Sequence, residues 1–189
     1  MDFEQEQQLV TEITIPSDIT TINSYAFYNG DQFTSVTIPN TVEKIDTYAF
    51  AECSNLESLV FESGVEAIGD YAFYNCDTLE GVVIPEGCAQ LGKYAFAECT
   101  NLTEVSLPST LNTIPENAFK NCTSLSNIIV DSENENYSSD EYGVLFNKDK
   151  TKLIQYPAGG TQTSYTIPDG VTTIGENAFS FATNLESVT

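Results

Sequence analysis

The dipeptide Ala-Phe recurs at Ala26-Phe27, Ala49-Phe50, Ala72-Phe73, Ala95-Phe96 and Ala118-Phe119, each 23 residues after the last. It returns at Ala178-Phe179 after 60 residues, which is one step of 23 and one of 37. Other apolar columns keep the same beat. Phe33, Leu56, Leu79, Leu102 and Leu125 form one, with Leu185 after the longer gap. Ile22, Ile45, Ile68, Leu91 and Ile114 form another, followed by Ile174. A third runs Ile15, Ile38, Phe61, Ile84, Leu107, Val130 and then Ile167. The unit is L-x-x-V-x-I-P-x-x-V-x-x-I-x-x-x-A-F-x-x-C-x-x. So short a unit cannot bury an apolar face alone, whereas stacked neighbours bury a continuous one.

The pattern converts into shape. Val36 and Ile38 alternate with polar residues, the period of a half-buried strand. Pro39 cannot donate to a strand ladder and should end it. A second short extended piece runs from Val42 to Ile45. Asn23, Asp46, Gly69, Gly92 and Gly175 share the next column, and all tolerate a left-handed turn. Pro115 breaks that column, so its turn must differ locally. The Tyr-Ala-Phe-x-x-Cys piece has room for about one helical turn. The expected fold is a β-rich α/β repeat solenoid, right-handed, with two short strands and about one helical turn per coil. Its strands would lie about 4.8 Å apart, with Phe27, Phe50, Phe73, Phe96, Phe119 and Phe179 as the spine.

These residues resemble a known family. Leu102-x-x-Val105-x-Leu107-Pro108 and Val42-x-x-Ile45-x-x-x-Ala49-Phe50-x-x-Cys53 match the BspA-type leucine-rich repeat, and the resemblance covers residues 10–189. Proteins of this family are surface proteins of oral and gut bacteria and of some parasitic protists. The resemblance implies an extracellular or cell-surface location and adhesion to host proteins or other cells. The 37-residue unit between Val130 and Ile167 resembles a longer repeat variant of the family. Within it, Val144–Phe146 and Lys152–Tyr156 flank the turn-rich Asn147–Thr151 and predict a β-hairpin. Lys148, Lys150 and Lys152 are half of the chain's lysines, which makes the hairpin a candidate contact. A stabilising elaboration of the array is the other reading. Residues 10–189 should form one solenoid with the long repeat at about 131–166. Residues 1–9 fit the repeat poorly and read as an N-terminal cap or vector-proximal segment. Leu185 and Val188 begin a further unit, so the expectation is a piece of a longer protein that stops in mid-repeat.

Composition narrows the chemistry. Acidic residues number 28 against six cations, all lysine, for a net charge of −22, and there is no His and no Trp. Arg is absent too. Without His there is no Ser-His-Asp or Cys-His pair and no HExxH zinc site. Without Arg there is no bidentate clamp for phosphate or carboxylate. So acidic a surface repels nucleic acid and anionic membranes. No apolar run approaches the roughly 20 residues of a membrane span, and the acidic MDFEQEQQLV start is not a signal peptide.

The remaining clusters read as structure first. Cys53, Cys76, Cys99 and Cys122 share a column with Gly30 and Ala182, and Cys88 shares one with Val42 and Val65. Small apolar occupants mark packing positions, where free Cys behaves as a small hydrophobe. Asp131, Glu133, Glu135, Asp140 and Glu141 lack the spacing of a calcium loop and read as a solvated acidic loop. Tyr25, Tyr48, Tyr71 and Tyr94 form a ladder that either covers the core edge or offers a platform to sugar or protein. The outward strand residues are Thr14, Thr37, Val60, Val83, Ser106, Ile129 and Thr166, and apolar Val60, Val83 and Ile129 make them the candidate interaction face. The function these features suggest is non-catalytic protein–protein interaction or adhesion, without cofactor or metal. Carbohydrate is a second ligand class, and a structural spacer is the alternative role.

Overall fold

Alternation of apolar and polar side chains places the strands. A computed structural model describes residues 11–189; the segment read as an N-terminal cap lies outside the described residues. The first coil holds β1 (Glu12–Thr14) and β2 (Thr21–Ile22), and the second β3 (Ser35–Ile38) and β4 (Lys44–Ile45). The third holds β5 (Ser58–Phe61) and β6 (Ala67–Ile68), and the fourth β7 (Gly81–Val83) and β8 (Gln90–Leu91). β9 (Glu104–Leu107) opens the fifth. The long coil runs from β10 (Asn127–Val130) through β11 (Tyr137–Ser139), β12 (Leu145–Asn147) and β13 (Lys152–Gln155). β14 (Ser164–Tyr165), β15 (Thr173–Ile174) and β16 (Ser187–Val188) follow. In β3, Val36 and Ile38 are buried between the half-exposed Ser35 and Thr37.

The 23-residue step becomes register. Ser35 pairs with Ser58, Val36 with Leu59, Thr37 with Val60 and Ile38 with Phe61, all in parallel. The second strands form one parallel sheet in the order β2-β4-β6-β8. The first strands form two three-stranded parallel sheets, β1-β3-β5 and β7-β9-β10. The break between β5 and β7 falls at Gly81, in a column where Ser35, Ser58 and Glu104 stand in neighbouring coils. A glycine there weakens the strand and leaves space where a side chain would pack.

The predicted helical turn does not form: among the described residues there is no helix. Two left-handed residues per coil prevent it, at Tyr25 and Asn29, Tyr48 and Glu52, Tyr71 and Asn75, Tyr94 and Glu98, and Asn177 and Phe181, all with φ between 57° and 62°. A right-handed helix cannot continue through such residues. Seven of these N–H groups, those of Tyr25, Asn29, Tyr48, Glu52, Tyr71, Asn75 and Glu98, reach the next coil instead of a helical partner. Tyr25, Phe27 and Asn29 donate to the carbonyls of Thr47, Ala49 and Ala51 at 3.3, 2.7 and 2.9 Å, while Ala26 and Tyr28 close tight turns on Asn23 and Tyr25. Bulky residues at positive φ cost of order 1–3 kcal/mol each, and in the first four coils this hydrogen-bonded ladder offsets that cost.

The Asn23–Gly175 column also corrects a reading. Gly69, Gly92 and Gly175 are not left-handed. A Cβ on Gly92 would lie 2.3 Å from the backbone of Gly69 and Asp70, so at the glycines this column serves close approach between coils, not a special φ. The left-handed residue sits two positions later. In the Pro115 coil, Asn117 at that position has no positive φ, and the turn closes by Ala118 N–H donating to Pro115 at 2.9 Å.

Phe50, Phe73, Phe96 and Phe119 are fully buried and stack with Phe27 as a spine. Successive centroids lie 4.9, 5.1, 5.0 and 5.9 Å apart. The core then divides. A large cluster runs from Ile13 to Ile154, and a smaller one gathers Val144, Phe146, Leu153, Tyr156, Tyr165 and Ala178. β11, β12 and β13 form an antiparallel meander whose last strand pairs in parallel with β15. Asn134, the buried polar side chain at this junction, donates to Pro108 and Leu111 carbonyls and accepts from Asn136 and Tyr137 N–H groups, all at 2.8–2.9 Å.

Candidate interaction face

Pleating sends alternate strand residues outward, and register lines them up. Thr14, Thr37 and Val60 stand opposite one another across β1, β3 and β5. Val83, Ser106 and Ile129 do the same across β7, β9 and β10. Val60, Val83 and Ile129 are 48%, 67% and 41% exposed. That exposes β-branched apolar surface in the middle of the face. Thr166 stands apart, beyond β14, with its hydroxyl 3.2 Å from that of Thr189; the long coil separates it from the other six.

Where the sheet divides between β5 and β7, a groove of about 420 Å³ opens, lined by Val60, Val83 and Pro85 with Glu62, Glu86 and Glu104. No cation lines it. This break is what sequence reasoning missed; Gly81 was the available signal. The floor is apolar and the rim carries carboxylates, a surface suited to a partner with apolar and basic groups.

Acids elsewhere are spaced by the stack. Glu52 accepts from the Asn75 amide at 2.6 Å and Glu98 from the Asn121 amide at 2.5 Å. Asp31 accepts from the Ser54 hydroxyl at 2.8 Å and Glu86 from the Ser109 hydroxyl at 2.6 Å. Each of these carboxylates thus meets a neutral donor, not another acid, on the following coil. Tyr28, Ala51, Tyr74 and Ala97 alternate in the same way.

The other candidates are largely committed to their own chain. Lys148 donates to the Ser132 carbonyl at 3.2 Å and to that of Asn134. Lys150 lies over the Phe146 ring at 5.6 Å. Lys152 is ion-paired with Glu116, whose carboxyl this hydrogen bond holds below its usual range. Asp140, read as part of a solvated loop, is a structural acceptor: Tyr142 N–H, Val144 N–H and the Tyr165 hydroxyl donate to it at 2.9, 2.9 and 2.7 Å. Among the described residues no group of His, Cys, Asp and Glu is placed to hold a metal ion.

The tyrosine ladder stacks at 5.1, 4.7 and 4.9 Å from Tyr25 to Tyr94. Tyr25 is exposed at the end, and the inner rings are half-buried. All five cysteines are buried and free. Those in the repeat column are more than small hydrophobes, because Cys53, Cys76, Cys99 and Cys122 donate S–H to the carbonyls of Phe27, Phe50, Phe73 and Phe96 at 3.0–3.3 Å. Burial pushes Cys53 and Cys88 up to about 11, so they are thiols and not nucleophiles near neutrality.

Repeat length, inter-coil register and the Phe spine define a leucine-rich-repeat solenoid. The model of the BspA type leucine rich repeat region matches in six copies over residues 20–143 and 158–189, and the chain belongs to this family. A leucine-rich repeat protein from Eubacterium ventriosum superposes with a TM-score of 0.84 at 31% identity, covering 94% of this chain and 49% of that one. The pneumococcal vaccine antigen PcpA gives 0.73 at 26% identity, covering 94% and 54%. A leucine rich cell surface protein from Faecalibacterium prausnitzii gives 0.64 at 27% identity, covering 94% and 60%. The chain therefore spans about half the length of these structures. No curated protein matches it. No helix among the described residues is long and apolar enough to cross a membrane.

Proposed function

We propose that the chain is a non-catalytic interaction module of an extracellular or cell-surface protein, which holds a protein partner on the face of Thr14, Thr37, Val60, Val83, Ser106 and Ile129, with Thr166 outside it. The observation that carries this reading is the acid-rimmed apolar groove between β5 and β7. Apolar side chains of the partner would fill the groove, and its basic groups would meet Glu62, Glu86 and Glu104. Steering by the net charge of −22 would speed encounter and weaken with salt. The hairpin with Lys148, Lys150 and Lys152 is the second contact candidate. It is the weaker one, because each ammonium already has a partner. A surface location is supported by the F. prausnitzii neighbour, described as a cell surface protein.

The test is a binding screen against extracellular-matrix and cell-surface proteins at low and physiological salt, with Val83→Lys as the control. Val83 is exposed, so the melting temperature should stay unchanged while affinity falls about tenfold or more if Val83 anchors the contact. Ile129→Lys reports on the other outer strand of the same sheet. Silence across the panel with a folded protein would favour the spacer role and sink the recognition reading.

A further inference from the structure

The aromatic spine has one member that is not a phenylalanine. Tyr156 follows Phe119 by 37 residues and precedes Phe179 by 23. Its N–H donates to the Ala178 carbonyl at 2.7 Å, as Phe27, Phe50, Phe73 and Phe96 donate to the corresponding alanines. Its ring stacks on Phe179 at 5.5 Å. Tyr156 is only 2% exposed, so its hydroxyl is a polar group carried into a column that elsewhere holds none. That hydroxyl makes no hydrogen bond within the described residues, yet it is not one of the buried polar atoms left without a partner. It stands 3.1 Å from where a Cβ on Gly160 would lie and opens onto a pocket of about 350 Å³ that Tyr156 and Gly160 both line.

That pocket lies between the segment carrying Glu141 and Tyr142 and the one carrying Gly160, Thr161 and Gln162. Both sides are fixed in advance. Asp140 gathers the hydrogen bonds of Tyr142, Val144 and Tyr165, and Gly143 (φ 71°) sits so close to Asn127 that a Cβ there would clash at 2.6 Å. On the other side Gly159 N–H donates to Leu125 at 2.7 Å, and the Asn184 amide donates to Gly160 at 2.9 Å. Tyr142 packs edge-on against Tyr165 at 5.9 Å, yet the residue remains 42% exposed.

The lining selects a ligand chemistry. Gln162 offers an amide and Thr161 a hydroxyl, each able to donate and accept, while the Asn127 amide already donates to Glu104 at 3.2 Å. No cation lines the pocket, and Glu141 is its sole charge, so an anion would be repelled. A purely apolar occupant would strip water from the amides and the Tyr156 hydroxyl without replacing it. We propose that this pocket binds a neutral polyhydroxylated ligand, one sugar unit of a glycan, with its C–H face on Tyr142 and a hydroxyl on Tyr156. The volume is at the small end of ligand sites, which run from about 300 to 1,000 Å³.

The experiment titrates the chain with neutral mono- and disaccharides of glucose, galactose, mannose and N-acetylglucosamine, followed by calorimetry and amide chemical shifts. At least one should saturate in the millimolar range and shift the amides of Tyr142 and Gln162. Tyr142→Ala, at an exposed ring, should abolish binding. Tyr156→Phe removes one oxygen and restores the residue of the other coils. It should weaken binding about 3- to 10-fold, the worth of one neutral hydrogen bond, with a melting temperature unchanged or higher. The proposal fails if no neutral sugar saturates, if both variants bind as well as the parent, or if only a lysine- or arginine-bearing peptide occupies the site.

Discussion

The regular coils and the long coil solve the same stacking problem differently. In the 23-residue coils the core columns repeat, so buried side chains meet a constant neighbour: Phe on Phe, thiol on the neighbouring coil's carbonyl. The long coil cannot match that template on both sides. It inserts an antiparallel meander, joins the next coil through β13 and β15, and divides the core in two. Regularity supplies stability without side-chain diversity. Irregularity supplies a buried Asn134, a hydroxyl in the aromatic spine and a polar pocket. Stability and chemical variety are therefore housed in different parts of one stack.

The largest effect that would break this contrast is at the spine. Phe73→Ala removes a fully buried ring packed between two others and should cost about 3–5 kcal/mol; Phe179→Ala, half-buried in the smaller cluster, should cost less. Denaturant unfolding of the two variants measures the difference, and equal losses would mean that the regular coils carry no special share. Alkali is the next lever. Cys53 and Cys88 ionise at about 9 when unfolded and at about 11 in the fold. Their contribution is therefore complete below about pH 9 and is lost as pH rises through about 11, to the extent of about 2–3 kcal/mol each. All five cysteines lie in regular coils, so hydrogen exchange between pH 9 and 10 should rise there before it rises in the meander. Last is Asn134→Ala, which removes the partner of the Leu111 carbonyl and of the Asn136 and Tyr137 N–H groups and should cost about 1–3 kcal/mol for each of them that water does not reach. Its damage should be confined to the meander by the same exchange measurement; loosening that spreads to β3 and β5 would show the two regions to be one cooperative unit.

Where the sequence repeats, it was readable to the residue. Val36 and Ile38 are buried in β3 as their alternation requires, and Phe50 through Phe119 stack as their spacing requires. The left-handed turns were not readable, because Tyr48, Tyr71 and Tyr94 carry them where glycine would be expected, and the cause lies in hydrogen bonds to the next coil. Tyr156 escaped because Gln155-Tyr156 does not look like Ala-Phe; counting back 23 residues from Phe179 would have found it. The strand-face residues were legible from pleating alone. The groove between them was not, since it depends on which neighbouring strands fail to pair.

The alternation of carboxylate and neutral donor has a consequence for how such arrays lengthen. Asn29, Glu52, Asn75, Glu98 and Asn121 occupy one column, while Asp31, Ser54, Asp77 and Thr100 occupy another in the opposite phase. In these two columns the unit is thus a pair of coils, whereas Glu43 and Glu66, exposed to solvent, already stack acid on acid. Duplicating one coil would set like charges about 4.8 Å apart; duplicating two keeps them near 10 Å, about the screening length of 0.1 M salt. At these two columns, coils are gained or lost most cheaply two at a time.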